Sequence, residues 1–254
     1  MELIVLGSGT GFPLPDRGSP SMVLLHGAGC MLFDMGPGAL RQLTRAGLDY
    51  KTIHHIFFTH FHPDHTGDLV HFLFATRHPS TLSSRAPFGI TAPKGFVEFL
   101  HRLQEAYPKW LELPPNLMRI EERDTDNRET GTLGDLTVIS HPVKHTPHSI
   151  AYRVEDPDGR SFVYSGDTDY CEGLVDLARD TDILFLECSF PDQSPVEGHL
   201  HPLTAGRIAS LAQAKKLVLL HFYPEVLSTE IGTQCRQTYD GELILARDFL
   251  RLTV

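Results

Sequence analysis

The residue types best suited to chemistry lie in one short stretch, which reads His60-x-His62-x-Asp64-His65. It offers imidazole nitrogen and carboxylate oxygen, which zinc and similar divalent metals accept as ligands. Alternating histidines on an extended loop can face one metal, and the aspartate–histidine pair can face a second metal ~3.5–4 Å away. The spacing differs from the zincin pattern H-E-x-x-H, whose histidines lie one helical turn apart. The stretch therefore predicts a metal centre rather than a histidine-rich surface loop.

The flanking segments predict how this stretch is held. The apolar and aromatic run at 53–58 predicts a buried strand, and residues 68–77 predict a helix. Pro63 and Gly67 are turn-forming residues between them. The metal-ligand types are thus expected on a strand-to-helix loop.

Four further ligand-type residues follow apolar runs that predict strands: His145, Asp167, Glu187 and His221. Several strand ends can converge on one cleft, so these side chains are candidates for the same site. Taken singly, each has an ordinary explanation as a turn residue or a hydrogen-bonded polar group. Asp34 also ends a predicted strand, where it could cap the following turn or orient a ligand.

Length and composition limit the alternatives. The 254 residues can bury a substantial core, and the absence of a linker or short repeat predicts a single domain over residues 1–254. The formal net charge of −10 argues against a generally basic nucleic-acid surface, although a local basic patch remains compatible with it. The four cysteines form no C-x-x-C pair, and we see neither a signal peptide nor a membrane-length apolar run. A cytoplasmic protein without a membrane segment is expected.

The order of predicted elements favours an α/β sandwich of two mixed sheets with outer helices, because each half is a run of strands followed by α/β units. The early glycines at 7–11 resemble a dinucleotide loop only superficially, since Pro13 and Pro15 block the helix that such a loop needs. We interpret them as a turn. The single tryptophan, Trp110, is expected to be a packing anchor, with a lid over the site as the alternative.

Together these motifs resemble the metal-ligand motifs of the metallo-β-lactamase superfamily, in that family's order. The resemblance implies an αβ/βα sandwich and a dinuclear centre, with zinc as the expected metal and manganese or iron as alternatives. It implies one metal bound by His60, His62 and His145, a second bound by Asp64, His65 and His221, and Asp167 as the bridge.

Within that superfamily the chain is most similar to the ribonuclease Z branch. The opening 6–13 resembles that branch's start, and Glu187-Cys188-Ser189 resembles its H-E-A-T motif with leucine where histidine would stand. Gly198-His199-Leu200-His201 resembles its H-S-T loop. The resemblance implies that Glu187 and His199 protonate the leaving group together and that Asp64 helps to fix the nucleophile. Whether His201 takes part stays open, and a homodimer is expected by analogy.

One segment departs from the tRNA-processing members, which carry a long arm between the third and fourth motifs. Here only residues 149–164 fill that interval, with a tight turn in the middle. This argues against tRNA 3′-end processing and favours a small phosphodiester or an RNA end as substrate. Two alternatives stay open: acyl hydrolysis of a thioester, lactone or lactam, and a non-catalytic metal- or RNA-binding module.

Overall fold

Two seven-stranded mixed sheets form the centre of the computed structural model, which describes residues 1–254. The strands of the first sheet are β1 (Glu2–Gly7), β2 (Ser21–His26), β3 (Gly29–Phe33), β4 (Ile53–Phe57), β5 (Phe88–Pro93), β6 (Met118–Arg123) and β14 (Arg251–Thr253). They lie in the order β14-β1-β2-β3-β4-β5-β6. The pairs from β14 to β3 are antiparallel, and those from β3 to β6 are parallel.

The second sheet has the same mixed character. Its strands are β7 (Glu129–Leu133), β8 (Leu136–Pro142), β9 (Ile150–Glu155), β10 (Ser161–Tyr164), β11 (Ile183–Glu187), β12 (Lys216–Leu220) and β13 (Glu242–Leu245). They lie in the order β13-β12-β11-β10-β9-β8-β7. Strands β7 to β10 pair antiparallel, and β10 to β13 pair parallel.

Helices cover the outer face of each sheet. They are α1 (Ala39–Arg45), α2 (Pro63–Thr66), α3 (Asp68–Thr76), α4 (Pro79–Leu82), α5 (Phe96–Ala106), α6 (Glu172–Leu177), α7 (Pro202–Leu211), α8 (Pro224–Leu227) and α9 (Ile231–Cys235). Helices α1, α3 and α5 pack on the first sheet, and α6, α7 and α9 pack on the second. No helix has the length and apolar character needed to cross a lipid bilayer.

The alternation of side chains along the strands produces the layers. In β1, Leu3 and Val5 join the core between the sheets, whereas Ile4 and Leu6 join the core beneath the first sheet's helices. Because successive side chains of a strand point to opposite faces, both faces of this sheet are apolar and both must be covered. Two sheets packed face to face with helices outside satisfy that requirement, so the predicted sandwich is confirmed.

The structure differs from the sequence prediction in two places. Strands β6 and β7 are not predicted from the sequence. Both lie at sheet edges and carry polar residues rather than a continuous apolar run. The expected strand-to-helix loop is also partly helical, because Pro63–Thr66 forms the single turn α2. Asp64 and His65 therefore project from a helical turn that begins immediately after His62.

Trp110 is not the expected packing anchor. Its side chain is 58% exposed, and it contacts the equally exposed ring of Phe74 edge to face, with the ring centroids 5.8 Å apart. A side chain with this exposure contributes little to a core.

Gly36 fixes the position of the metal-ligand loop. A Cβ atom on Gly36 would lie 2.0 Å from the Asp64 carbonyl oxygen, closer than any real contact. We expect Gly36→Ala to lower the free energy of unfolding by about 1–3 kcal/mol through overpacking, measured by urea denaturation. The control is Gly232→Ala in α9, where a Cβ would meet nothing within 4 Å and the change should be neutral or stabilising. Equal stability of the two variants would contradict this interpretation.

Candidate metal centre

The parallel strands of both sheets end at the site. Thr59 and His60 follow β4, Asp167 follows β10, and His221 follows β12, while Glu187 is the last residue of β11. Because parallel strands share the edge at which they end, the topology brings these side chains together. The sequence predicts that these residues lie at strand ends, and the order of the strands in each sheet explains why they are neighbours.

Asp167 lies between two groups of ligand-type side chains. Its Oδ2 lies 3.8 Å from His60 Nε2 and 3.7 Å from His145 Nε2. Its Oδ1 lies 3.1 Å from His65 Nε2 and 3.3 Å from His221 Nε2. The two oxygens of one buried carboxylate thus face different histidine pairs.

The remaining two predicted ligands complete these groups. His62 Nδ1 lies 3.1 Å from His145 Nε2, and Asp64 Oδ2 lies 3.6 Å from His221 Nε2. The backbone N–H of Gly11 donates to the same Asp64 oxygen at 2.9 Å, so the early glycine turn holds this carboxylate. The structure brings together all seven residues that the sequence nominated as metal ligands.

Hydrogen bonds on the first sheet set the histidine tautomers. His60 Nδ1 donates to Thr59 Oγ1 at 3.0 Å, and that hydroxyl donates to Asp34 at 2.9 Å. His65 Nδ1 donates to Asp34 Oδ2 at 2.8 Å. Each bond engages Nδ1 and leaves Nε2 as the nitrogen that faces Asp167, which is the ring orientation of a metal-binding histidine.

The second sheet orients its histidines in the same way. His145 Nδ1 donates to the Gly198 carbonyl oxygen at 2.8 Å, and His221 Nδ1 donates to Ser189 Oγ at 2.8 Å. Gly198 has φ +84°, a backbone conformation that favours glycine, and its Cβ position would crowd the His145 ring. In both histidines Nε2 is therefore the nitrogen that faces the other ligand candidates, His62 for His145 and Asp167 for His221.

Asp34 is an orienting residue and does not cap the turn that follows it. Its buried carboxylate accepts hydrogen bonds from the Thr59 backbone N–H, His65 Nδ1 and the Tyr164 hydroxyl. Its φ of 56° is unusual for a residue other than glycine, and the metal-ligand candidate His221 has φ 60°. Such backbone strain persists where surrounding contacts impose it, and it is enriched at functional sites.

Two of the seven buried side-chain atoms that make no hydrogen bond belong to the centre. His60 Nε2 and Asp167 Oδ1 are inaccessible to solvent and make no hydrogen bond. Buried polar atoms are rarely unpaired in folded proteins, and an ion is one accepted explanation. The donor set of imidazole and carboxylate groups and these two atoms fit divalent metal ions.

The charges of the site are strongly coupled. Burial raises the pKa of Asp167, but the imidazoles of His221 and His65 outweigh it and hold this pKa well below its usual range. Burial lowers the pKa of His65, whereas the Asp167 and Asp34 carboxylates raise it well above the ordinary value. Burial, together with the charge of His65, lowers the pKa of His60 well below its ordinary value. Burial raises the pKa of Asp64, but the hydrogen bond with His221 and the charge of His65 outweigh burial and lower this pKa to about 2.

Glu187 and His199 form a pair beside the ligand groups. Glu187 is fully buried, and its Oε1 accepts hydrogen bonds from His199 Nδ1 at 2.9 Å and from the Thr168 backbone N–H at 2.7 Å. Burial lowers the pKa of His199, but the hydrogen bond and the charge of Glu187 raise it overall. A nitrogen of the His199 ring lies within 4.8 Å of ligand atoms of Asp167 and His221, so the ring faces the centre.

His201, in contrast, is turned to other partners. Its Nδ1 donates to Asp192 and its Nε2 lies 2.6 Å from Thr204 Oγ1. Both ring nitrogens are therefore engaged at the start of α7. His201 belongs to none of the groups that could hold a metal.

Sequence reasoning missed several residues that support the centre. Ser189 accepts from His221 and donates to Glu187, thereby linking a ligand candidate to the buried carboxylate. Phe190 and Tyr223 stack with ring centroids 4.8 Å apart beside His199. Ser189 belongs to the Glu187-Cys188-Ser189 motif, but nothing in the neighbouring sequence predicts its hydrogen bonds with His221 and Glu187.

Comparisons with known proteins agree with this geometry. A family model described as "Beta-lactamase superfamily domain" matches residues 30–222. An uncharacterised protein of Mycobacterium leprae is 32% identical over 216 residues, which cover 83% of this chain and 73% of that protein. Ribonuclease Z of Streptomyces coelicolor is 29% identical over 320 aligned positions, which cover 100% of this chain and 97% of that enzyme.

Solved structures share the whole architecture. The crystal structure of human tRNase Z, short form, has a TM-score of 0.79 at 27% identity and covers 100% of this chain and 99% of its own. The metallo-β-lactamase fold protein YhfI from Bacillus subtilis has a TM-score of 0.85 at 22% identity, covering 99% and 98%. These matches confirm the resemblance expected from the motifs. The chain belongs to the metallo-β-lactamase superfamily, among its metal-dependent hydrolases.

Proposed function

We propose that the protein is a dinuclear, zinc-dependent phosphodiesterase that acts on a small diester or an RNA end. The observation that carries this proposal is the Glu187–His199 pair, which adds a proton donor to the ligand groups. Similarity to ribonuclease Z supports the same reaction class. Ligands come from both sheets, so the proposal treats residues 1–254 as one domain. The homodimer and the cytoplasmic location stay predictions.

His60, His62 and His145 would hold one metal, Asp64, His65 and His221 would hold the other, and Asp167 would contact both. Two such metals supply Lewis acidity and a hydroxide nucleophile near neutral pH. With metals bound, Asp64 and Asp167 would help to orient the nucleophile, and Asp34 would hold the His65 ring with Nε2 toward the centre. The ring orientations would suit the metals, and His65, whose pKa is raised, would give up its Nε2 proton on binding.

His199 would donate a proton to the leaving oxygen. Its raised pKa favours the protonated ring, and Glu187 stabilises the imidazolium through Nδ1. The stacked rings of Phe190 and Tyr223 offer an aromatic face beside the donor, on which a base or aryl group can stack.

The hairpin between β9 and β10 narrows the substrate class. It is closed by a tight turn at residues 156–159, in which Asp156 accepts from the backbone N–H groups of Asp158 and Arg160. No arm extends between these strands. We therefore infer that a full tRNA is not the substrate.

Metal content tests the dinuclear part of the proposal. We expect about two zinc equivalents per chain by elemental analysis, loss of activity on chelation, and recovery when zinc is restored. Asp167→Asn should lower zinc affinity by at least about tenfold, because a shared anionic ligand is removed. The control is Asp126→Asn, on an exposed loop, where the same charge change should have no effect. Full activity in metal-free protein would refute the proposal.

Leaving-group dependence tests the role of His199. We expect His199→Ala to lower kcat/KM for a dinucleotide, which has an alkoxide leaving group, by about 10²–10⁴-fold. The loss should be much smaller for bis(p-nitrophenyl) phosphate, whose leaving group needs no proton. His201→Ala is the matched control and should behave like wild type with both substrates. Equal losses of the variant on the two substrates would remove His199 as the acid.

A substrate panel separates phosphodiester from acyl hydrolysis. At equal zinc loading we expect a higher kcat/KM for phosphodiesters than for thioesters, lactones or β-lactams, measured with chromogenic substrates. The acyl alternative would be supported by the reverse order. Turnover of none of them with metal bound would favour a non-catalytic binding module.

A further inference from the structure

A second candidate binding site lies outside the metal centre, in a cavity of 870 Å³ between the loop at 14–18, the start of α1 and residues 247–249. Its charged lining consists of Arg17, Arg41, Arg45 and Arg247, together with Asp16 and Asp248. Four guanidinium groups thus meet in one concavity of a chain whose net charge is −10. Three of them, Arg41, Arg45 and Arg247, are exposed, so their guanidinium groups are accessible to an anionic ligand.

Compensation within the protein is weak. None of the four arginines forms a salt bridge, whereas Arg102, Arg153 and Arg160 on other surfaces pair with carboxylates within 4.0 Å. Asp248 also lines the cavity, and its two oxygens are already occupied by other donors. These are the Ser8 backbone and hydroxyl, the Gly18 N–H and Gln42 Nε2.

Two of the guanidinium groups are held in place by contacts that are not ionic. Arg17 lies over the Phe222 ring, 4.9 Å from its centroid, and one of its nitrogens donates to Ser8 Oγ and the Ala246 carbonyl oxygen. Arg45 lies over the Phe249 ring at 4.8 Å. A fixed planar guanidinium loses little entropy on binding, and its donor geometry matches phosphate oxygens.

The cavity shares its walls with the metal-ligand loop. Pro37 and Gly38 line it, and the adjacent Gly36 packs on the Asp64 carbonyl. Leu14 lines it from the other side, three residues after Gly11, whose N–H donates to Asp64. Three residues of extended chain span at most about 11 Å. The Leu14 wall of the cavity therefore lies within about 11 Å of Gly11, a distance that a short anionic strand could span.

We propose that this cavity binds backbone phosphates of a single-stranded RNA whose scissile linkage lies in the metal centre. The inference rests on the proposed phosphodiesterase function and selects an RNA end over an isolated small diester as the preferred substrate. Phosphate is the shared chemistry of an RNA strand and a free polyphosphate. The number of arginines and the short distance from the cavity wall to the metal-ligand loop favour an RNA strand over a free polyphosphate.

Binding under varied salt tests this proposal. The probe is a fluorescent, hydrolysis-resistant phosphorothioate RNA of about twelve nucleotides, titrated with zinc-loaded protein and followed by anisotropy. We expect Arg41→Ala/Arg45→Ala to weaken binding about tenfold and to reduce the slope of log K against log salt by about 1.4, since each single-strand phosphate contact contributes about 0.7. The control double variant, Arg119→Ala/Arg128→Ala, removes the same charge elsewhere and should match wild type.

Equal affinity and slope in the Arg41/Arg45 variant and wild type would overturn the proposal. So would a variant that loses tripolyphosphate binding but keeps RNA binding, because the ligand would then be a free polyphosphate. Hydrolysis of bis(p-nitrophenyl) phosphate by the wild type reports separately on the proposed function. Arginine-dependent RNA binding without hydrolysis of that diester or of the unmodified RNA would support the cavity as a phosphate site, but it would reject the phosphodiesterase proposal and with it a scissile linkage in the metal centre.

Discussion

The buried carboxylate of Asp34 is the interaction on which the site depends most. It accepts hydrogen bonds from the loop after β4, from His65 on α2 and from Tyr164 on β10. One side chain thus joins the first sheet, the metal-ligand loop and the second sheet. Burying a carboxylate is costly unless its lone pairs are used, and this one uses both oxygens. The arrangement fixes the histidines before any metal arrives.

Glu187 has a corresponding role on the second sheet. It holds His199 directly and His221 through Ser189, so the proposed proton donor and a ligand candidate share one buried anion. Together Asp34 and Glu187 form an outer layer of carboxylates around an inner layer of imidazoles. Low dielectric strengthens each of these bonds and makes the loss of one costly.

Much of the site could be predicted from the sequence because ligand types stand at the ends of apolar runs. His60, Asp167 and His221 each follow a buried strand, and that pattern is local. The orienting partners could not be predicted, since Gly198 binds His145 across 53 positions and Tyr164 reaches Asp34 across 130. The sandwich is predictable because each half is a run of strands followed by α/β units, whereas the polar edge strands β6 and β7 lack the apolar pattern. The arginine cavity joins segments from both ends of the chain and has no sequence motif.

We propose that two metals share the Asp167 carboxylate, which lies between two groups of three ligand residues. The most direct measurement is anomalous diffraction at the zinc edge from crystals of the zinc-loaded protein. We expect two peaks, one on each side of the Asp167 carboxylate. One should lie beside His60, His62 and His145, and the other beside Asp64, His65 and His221. A single peak, or zinc bound away from Asp167, would contradict it.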